Sequence, residues 1–151
     1  MANTTEKVFD VINNLIEANR DAQQGYRDAA EKVKDTTLRT YFNERSLERG
    51  QYAAELKNEV QRLGKADVST TGSAMGTIRR AWMDLKANLG GGDHAILTSL
   101  EAAEDSVKQA YQEAMRETLP GNLSAIVRTQ AQNIFSAHDY VRSLRDRKAA
   151  A

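Results

Sequence analysis

Residues 64–92 read GKADVSTTGSAMGTIRRAWMDLKANLGGG and join two pairs of long helical patterns. The first part of this segment, 65–72, is small and polar and is predicted as a loop. The second part carries apolar residues at helical spacing, so we predict a crossover helix over about 73–89. A bundle helix of about 26 residues is roughly 39 Å long, because each residue adds about 1.5 Å. The 29-residue segment can therefore cross the whole length of a helical bundle.

One face of the predicted crossover helix is apolar. Its positions recur three or four residues apart: Met75, Ile78, Trp82, Leu85 and Leu89. The last four residues form a candidate interaction face for a partner chain, because a tryptophan among aliphatic neighbours is typical of binding hot spots. The alternative is that the same face covers the outside of the bundle within one chain.

Four longer helices flank the crossover and are predicted at about 5–34, 38–63, 93–118 and 123–147. Their apolar residues alternate at spacings of four and three, which is typical of a bundle seam. Gly64 is expected to end the second long helix and Asp93 to cap the third. Short connections predict that the first and second helices are antiparallel neighbours, as are the third and fourth. The long connection predicts that the second and third run parallel.

The predicted fold class is therefore all-α, a ferritin-like four-helix bundle with a long helical crossover between the second and third long helices. No internal repeat or low-complexity stretch supports a second domain. We therefore predict one domain over residues 1–151.

Composition narrows the function classes. The 21 Lys and Arg residues balance the 21 Asp and Glu residues, so the electrostatic footprint of a general nucleic-acid binder is missing. The chain has no cysteine, which excludes a disulfide framework, a thiol nucleophile and cysteine-based metal sites. It also lacks an apolar run long enough to span a membrane and a recognisable signal peptide. We expect a soluble, cytoplasmic domain that binds neither nucleic acid nor membrane.

Polar residues interrupt the apolar stripes near the middle of the long helices. They are Asn19, Arg49 and Glu104 in the first three, with His138 beside the stripe of the fourth. Because the midpoints of bundle helices lie at similar heights, these four side chains are expected to form a central polar layer. Burying Arg49 or Glu104 alone would cost several kcal/mol, so we expect them to form an ion pair.

Two alternatives to a structural ion pair remain open. The layer is either a metal or ligand site, or some of its long side chains reach solvent. Di-iron bundles use a Glu-x-x-His motif on each of two helices. This chain has no such motif, because Phe135 precedes His138 by three residues and Gly91 precedes His94. We therefore predict no metal and no cofactor, with iron or manganese as the alternative.

Several segments carry a resemblance to a known family. They are 15–17 (LIE), 25–31 (GYRDAAE), 51–56 (QYAAEL), 79–86 (RRAWMDLK), 104–105 (ED), 110–111 (AY) and 138–142 (HDYVR). Over roughly residues 8–146 the chain resembles a mostly proteobacterial family of ferritin-like four-helix bundles catalogued as a domain of unknown function. The resemblance implies a ferritin-like fold with the long connection and no established activity.

The wider ferritin and rubrerythrin pattern is only partly kept. Its ligand positions in the first two long helices hold Asn19, Arg49 and Tyr52. In the last two helices Glu104 and His138 match the pattern, whereas Phe135 replaces a ligand glutamate. The resemblance therefore implies a bundle in which a salt bridge has replaced the di-iron centre.

Two function classes follow from this comparison. The first is a non-enzymatic bundle that self-associates, with a dimer as the expected homo-oligomer; fold analogy alone suggests a role in bacterial stress physiology. The alternative is a ferritin- or rubrerythrin-like oxidase or iron-handling protein, whose metal would use Glu104 and His138.

Overall fold

The computed structural model describes residues 4–64 and 73–150, and all regular secondary structure in these ranges is helical. The five helices are α1 (Thr4–Lys32), α2 (Thr36–Arg62), α3 (Ser73–Ala87), α4 (Asp93–Met115) and α5 (Leu123–Ala150). The all-α prediction is thus confirmed. Helix α3 corresponds to the predicted crossover helix, and the predicted loop at 65–72 lies outside the described residues. None of the helices in the described part of the chain is long and apolar enough to cross a membrane.

Helices α1 and α2 pack against each other in opposite directions. The Ser46 hydroxyl donates a hydrogen bond of 2.8 Å to the carbonyl of Gln23. Seven residues earlier on α2, the guanidinium of Arg39 donates to the carbonyl of Ala30, seven residues later on α1. Since the contacts on the two helices move in opposite senses along the chain, the pair is antiparallel.

Helices α2 and α4 run in the same direction. At the start of α2, the backbone N–H of Asp35 donates to the carboxylate of Asp93, the first residue of α4. Farther along both helices, Arg49 of α2 bonds Glu104 of α4. Contacts that lie farther along α2 also lie farther along α4, so the two helices are parallel. This is the arrangement predicted from a connection that spans the length of the helices.

Helix α5 returns along α4 in the opposite direction. The Tyr111 hydroxyl near the end of α4 bonds Gln130 near the start of α5, at 2.6 Å. At the other end of the pair, Arg145 of α5 bonds Glu101 of α4. The apolar side chains of all five helices meet in one continuous core, and fully burying a large aliphatic or aromatic side chain contributes about 1.5–3 kcal/mol.

The apolar face of α3 is covered by its own chain. Ile78, Trp82 and Leu85 are buried, and Leu89 is partly buried against the same core. The Trp82 ring lies 6.0 Å from the Tyr26 ring on α1, centroid to centroid. The candidate interaction face of the sequence analysis is therefore packed inside the chain in this structure, as its intramolecular alternative requires.

A glycine on α1 makes this docking possible. A Cβ atom built on Gly25 would lie 2.2 Å from Cε3 of Trp82 and 2.6 Å from Cζ3. Real atoms do not approach so closely, so any side chain at position 25 would displace the indole ring. Gly76 of α3 offers the opposite environment, because the nearest atom to its built Cβ is the end of the Arg80 side chain at 3.5 Å.

We expect Gly25→Ala to lower the free energy of unfolding by about 1–3 kcal/mol, because the new methyl group overpacks the contact between α1 and α3. Gly76→Ala is the matched control, and it should raise stability by roughly 0.5–1 kcal/mol through helix propensity alone. Denaturant unfolding followed by far-ultraviolet circular dichroism measures both. Equal effects of the two substitutions would contradict the proposed packing constraint.

Asp93 does not cap its own helix, contrary to the sequence prediction. The N-cap position of α4 is Gly92, with φ at 91°, and no side chain caps the helix there. The Asp93 carboxylate instead accepts hydrogen bonds from the backbone N–H groups of Lys34 and Asp35, at 2.8 and 3.0 Å. The physical reason is that the α1–α2 turn presents N–H groups without helical acceptors beside the start of α4. Asp35 in turn caps α2 by accepting from Thr37 and Leu38.

The opposite end of α2 is held by Glu59. Its carboxylate accepts hydrogen bonds from Arg62, at 2.7 and 2.6 Å, and from the backbone N–H of Asn122 at 2.9 Å. These donors, Arg62 first and Asn122 second, lower the pKa of Glu59 from 4.5 to about 2. Gly64 follows with φ at 85°, and α2 ends at Arg62, so the prediction that glycine terminates this helix is confirmed.

The lowered pKa of Glu59 predicts a contribution to acid stability. The contribution is fully present above pH 4.5, the pKa of an unperturbed glutamate, and is lost as the pH falls through about 2. As the pH falls from 4.5 to about 2, the free energy of unfolding should therefore decrease less in the variant Glu59→Gln than in the wild type. Thermal melts across the range measure the difference. The solvent-exposed control Glu44→Gln should keep the wild-type slope, and a wild-type slope for Glu59→Gln would count against the assignment.

Candidate functional site

An ion pair between Arg49 and Glu104 occupies the centre of the molecule. Nη1 of Arg49 donates to Oε1 of Glu104 at 2.6 Å, and Nη2 donates to Oε2 at 2.5 Å. Both side chains have 0% exposure. The guanidinium and the carboxylate thus meet in a two-point geometry that also joins α2 to α4. The sequence prediction that these two residues pair is in agreement with this geometry.

The pair is shielded from water, and one of its neighbours is the aromatic ring of Tyr26. The guanidinium carbon of Arg49 lies 5.5 Å from the centroid of the Tyr26 ring, within the range of a cation–π contact. Burial raises the pKa of the Tyr26 phenol well above 10.0, and the nearby Glu104 carboxylate adds to this effect. Burial lowers the pKa of Arg49, but the attraction and hydrogen bonds of Glu104, together with the influence of Tyr26 and Tyr111, outweigh burial, and the net direction is upward. The pair is therefore a cation and an anion held together in a dry environment.

A chain of hydrogen bonds, buried in its first two steps and half-buried in its last, crosses all four long helices beside the ion pair. Nδ2 of Asn19 on α1 donates to the hydroxyl of Tyr111 on α4 at 2.7 Å, and that hydroxyl donates to Oε1 of Gln130 on α5 at 2.6 Å. Nε2 of Gln130 then reaches Oε1 of Glu55 on α2 at 2.8 Å. Asn19, Tyr111 and Gln130 all have 0% exposure. These bonds fix the rotation of each helix about its axis relative to the others.

Tyr111 and Gln130 belong to the polar layer, although the sequence analysis did not place them there. Both occupy inward positions of their apolar stripes, and Gln130 is the strongly polar residue within the stripe of α5. That signal was available from the sequence. Height along the helix favours His138 instead, since it lies three residues from the middle of the predicted helix 123–147 and Gln130 lies five.

His138 lies away from the central pair. Its Nε2 atom is 3.8 Å from Oδ1 of Asp105 and 3.9 Å from Oε1 of Glu101, and its Nδ1 atom is 3.1 Å from Oδ1 of Asp139. On α4, Glu104 points inward with 0% exposure, whereas Asp105 is at the edge facing α5 and is about half exposed. His138 approaches this edge of α4 and not its inner face. The sequence expectation that His138 joins the layer of Arg49 and Glu104 therefore does not match the contacts.

Metal binding by the two residues that match the ferritin pattern would require rearrangement. Both carboxylate oxygens of Glu104 already accept bonds from Arg49, and His138 faces Glu101 and Asp105 instead. Across residues 4–64 and 73–150, no group of three or more His, Asp or Glu side chains is placed to hold a metal ion. A cation at the centre of this molecule is supplied by Arg49 itself.

The polar layer leaves some buried atoms without a hydrogen-bond partner among the described residues. These atoms are Oδ1 of Asn19 and Nε of Arg49. An unsatisfied buried polar group costs about 1–3 kcal/mol. The layer is therefore less stabilising than a well-packed apolar core would be; the hypothesis that accounts for it is that it specifies how the helices fit together.

We expect Arg49→Leu and Glu104→Leu each to lower the free energy of unfolding by roughly 3–5 kcal/mol, because each leaves an uncompensated buried charge. The double variant should recover part of this loss, because an apolar pair of similar size leaves no charge behind. Denaturant unfolding of the wild type, both single variants and the double variant measures the coupling.

A surface arginine provides the control for this cycle. Arg20 bonds Glu17 at 2.6 Å but is largely exposed. Arg20→Leu should change stability by no more than about 1 kcal/mol. Additive losses in the Arg49 and Glu104 cycle, or a control variant as damaging as Arg49→Leu, would contradict a strongly coupled buried pair.

Comparison with known proteins identifies the family of this chain. No match to the chain is found among curated proteins. The profile of one family matches residues 7–117, which run from the first turns of α1 to just beyond the end of α4. The match includes both members of the central ion pair and the whole of α3. The chain belongs to the family described as Domain of unknown function (DUF2383).

Proposed function

We propose that this protein is a non-enzymatic, cytoplasmic, ferritin-like helical bundle that self-associates, and that an ion pair stands where ferritin-type proteins hold a di-iron centre. The observation that carries the proposal is the geometry of Arg49 and Glu104. The guanidinium engages both oxygens of a carboxylate that would otherwise be a metal ligand, and it does so without access to solvent.

The directions of the helices support the ferritin-like part of the proposal. Helices α1 and α2 are antiparallel, as are α4 and α5, whereas α2 and α4 run in the same direction. A single long connection between the second and third long helices is the feature that separates ferritin-like bundles from simple up-and-down bundles. Here α3 lies within that connection and packs on the outside of α1 and α4.

A bundle of this kind would act through its surface and not through bond-making chemistry. Burial lowers the pKa of the Arg49 guanidinium, but Glu104 and the neighbouring tyrosines together raise it further, so Arg49 stays charged beside Glu104. The central residues then hold one arrangement of helices and present fixed outer faces. Such a scaffold fits a protein that binds other molecules or copies of itself.

The metal content of the purified protein tests this proposal. We expect protein that is prepared without chelator and incubated with Fe²⁺ or Mn²⁺ to retain far less than one equivalent of metal per chain. The reason is that both carboxylate oxygens of Glu104 already accept hydrogen bonds from Arg49. Elemental analysis after gel filtration gives the stoichiometry. Glu44→Ala removes an exposed carboxylate and serves as the control for loose surface binding. Retention of a stoichiometric metal that is lost in Glu104→Ala or His138→Ala would replace this proposal with the iron-handling alternative.

Self-association is tested by light scattering. The formal net charge is 0, so copies do not repel one another, and the apolar side chains of Leu47 and Met83 are 66% and 68% exposed. We expect a species of twice the chain mass of 16.8 kDa at high micromolar concentration, since symmetric dimers are the commonest homo-oligomers. Observation of the 16.8 kDa species alone would remove this part of the proposal.

A further inference from the structure

A continuous series of aromatic rings crosses the molecule from α3 to α5. Its five members are Trp82 on α3, Tyr26 on α1, Phe42 and Tyr41 on α2, and Tyr140 on α5. The centroids of successive rings, taken in that order, lie 6.0, 5.9, 6.1 and 4.9 Å apart. All four distances fall within the range of directly packed aromatic pairs, roughly 4.5–7 Å. The rings therefore form one path of packed groups through the bundle.

The two ends of this series differ in their access to water. At one end, Trp82 is 6% exposed, and part of its ring lines a surface cleft between α1 and α3. Its Nε1 atom is buried and has no hydrogen-bond acceptor among the described residues. At the other end, Tyr140 is 41% exposed. Only the Tyr140 end therefore has ready access to water, which can accept a proton there.

Loss of one electron has different consequences at the two ends. An oxidised indole relaxes by giving its N–H proton to a base, and no described residue places an acceptor beside Nε1 of Trp82. The oxidised ring therefore stays a radical cation, which is a strong one-electron oxidant. An exposed tyrosine releases its phenolic proton to water as it is oxidised, and the neutral phenoxyl radical is the more stable product. An electron is therefore expected to move from Tyr140 to oxidised Trp82, and not in the reverse sense.

The interior tyrosines can pass charge on but do not retain it. Burial raises the pKa of the Tyr26 phenol well above its usual value, and burial likewise raises the pKa of Tyr41. Neither hydroxyl therefore gives up its proton readily. The guanidinium carbon of Arg49 lies 5.5 Å from the Tyr26 ring centroid, and that of Arg45 lies 5.1 Å from the Tyr41 ring centroid. Cations at these positions disfavour a positive charge that rests on either ring.

We propose that this aromatic series carries a single electron from Tyr140 to Trp82 after a small one-electron oxidant has oxidised the indole ring. The oxidant takes one electron from Trp82 and leaves the indole radical cation. One electron then passes along the rings from Tyr140, which restores the neutral indole. The Tyr140 hydroxyl gives its proton to water, so the products are a neutral phenoxyl radical and a hydrated proton. A soluble hydrogen-atom donor such as ascorbate can reach that radical at the surface and restore the hydroxyl, which protects the interior from oxidation.

Pulse radiolysis with the azide radical tests the proposal. This oxidant reacts with tryptophan faster than with neutral tyrosine, and Trp82 is the sole tryptophan of the chain. We expect the absorbance of the indole radical to decay while that of the phenoxyl radical rises with the same first-order rate constant. The rate constant should not change with protein concentration, because the electron moves within one chain. Trp82→Phe should abolish the slow rise and leave only the immediate oxidation of tyrosines by azide.

Substitutions that keep the ring but remove the hydroxyl test the path. Tyr140→Phe should abolish most of the slow rise of phenoxyl absorbance, because it removes the final electron donor. Tyr41→Phe should slow the rise, because it removes an oxidisable ring from the series. Tyr52→Phe is the matched control and should keep the wild-type rate, because Tyr52 is a partly buried tyrosine of α2 that contacts Asn133 and lies outside the series. Thermal melts check that each variant is folded.

Three results would overturn the proposal. The first is a decay of the indole radical that depends on protein concentration, because it would show a reaction between separate molecules. The second is a wild-type rate of phenoxyl formation in both Tyr140→Phe and Tyr41→Phe. The third is a loss of the slow rise in Tyr52→Phe as large as that in Tyr140→Phe, which would place the electron donor outside the series.

Discussion

The contact between Arg49 and Glu104 is the constraint on which the rest of the structure depends. Two opposite charges are held at 2.5–2.6 Å with no exposure to solvent. Either charge alone would be strongly destabilising in this environment, so α2 and α4 must be arranged to bring the two side chains together. A shift of one helix by a single turn, roughly 5.4 Å, would separate them. The pair therefore fixes the axial register of two helices that are not consecutive in the chain.

Two aromatic residues, Tyr26 and Trp82, lie between the central ion pair and helix α3. The centroid of the Tyr26 ring lies 5.5 Å from the guanidinium carbon of Arg49 and 6.0 Å from the centroid of the Trp82 ring, which is tilted against it. Trp82 in turn occupies the space that the missing side chain of Gly25 leaves on α1. A continuous series of packed groups thus runs from the ion pair to α3. Helix α3 is thus packed, through Tyr26 and Trp82, against the same core that holds the ion pair.

The ends of the helices are held by charged side chains that bond backbone N–H groups or charged residues of a neighbouring helix end. Asp93 accepts from the backbone of the α1–α2 turn, and Lys148 near the end of α5 lies 3.2 Å from Asp35 and 3.8 Å from Asp93. At the other end of the molecule, Glu59 joins the end of α2 to the turn before α5. Charged side chains satisfy backbone groups at both ends, where the helices cannot supply their own acceptors and donors.

The sequence by itself determined where the helices of this protein lie, because a helix is formed by contacts between residues three or four positions apart along the chain. Apolar spacing located five helices to within a few residues, and glycine or aspartate marked several of their ends. It also predicted that Arg49 and Glu104 pair, since two inward-facing charges of opposite sign have few other partners, but it left a metal site and solvent-reaching side chains open as alternatives. Only the tertiary structure decided the hydrogen-bond chain through Tyr111 and Gln130, the separate position of His138 and the reach of Asp93 to another turn. Those contacts depend on the rotation of each helix and on side chains distant in sequence, which periodicity along one helix does not encode.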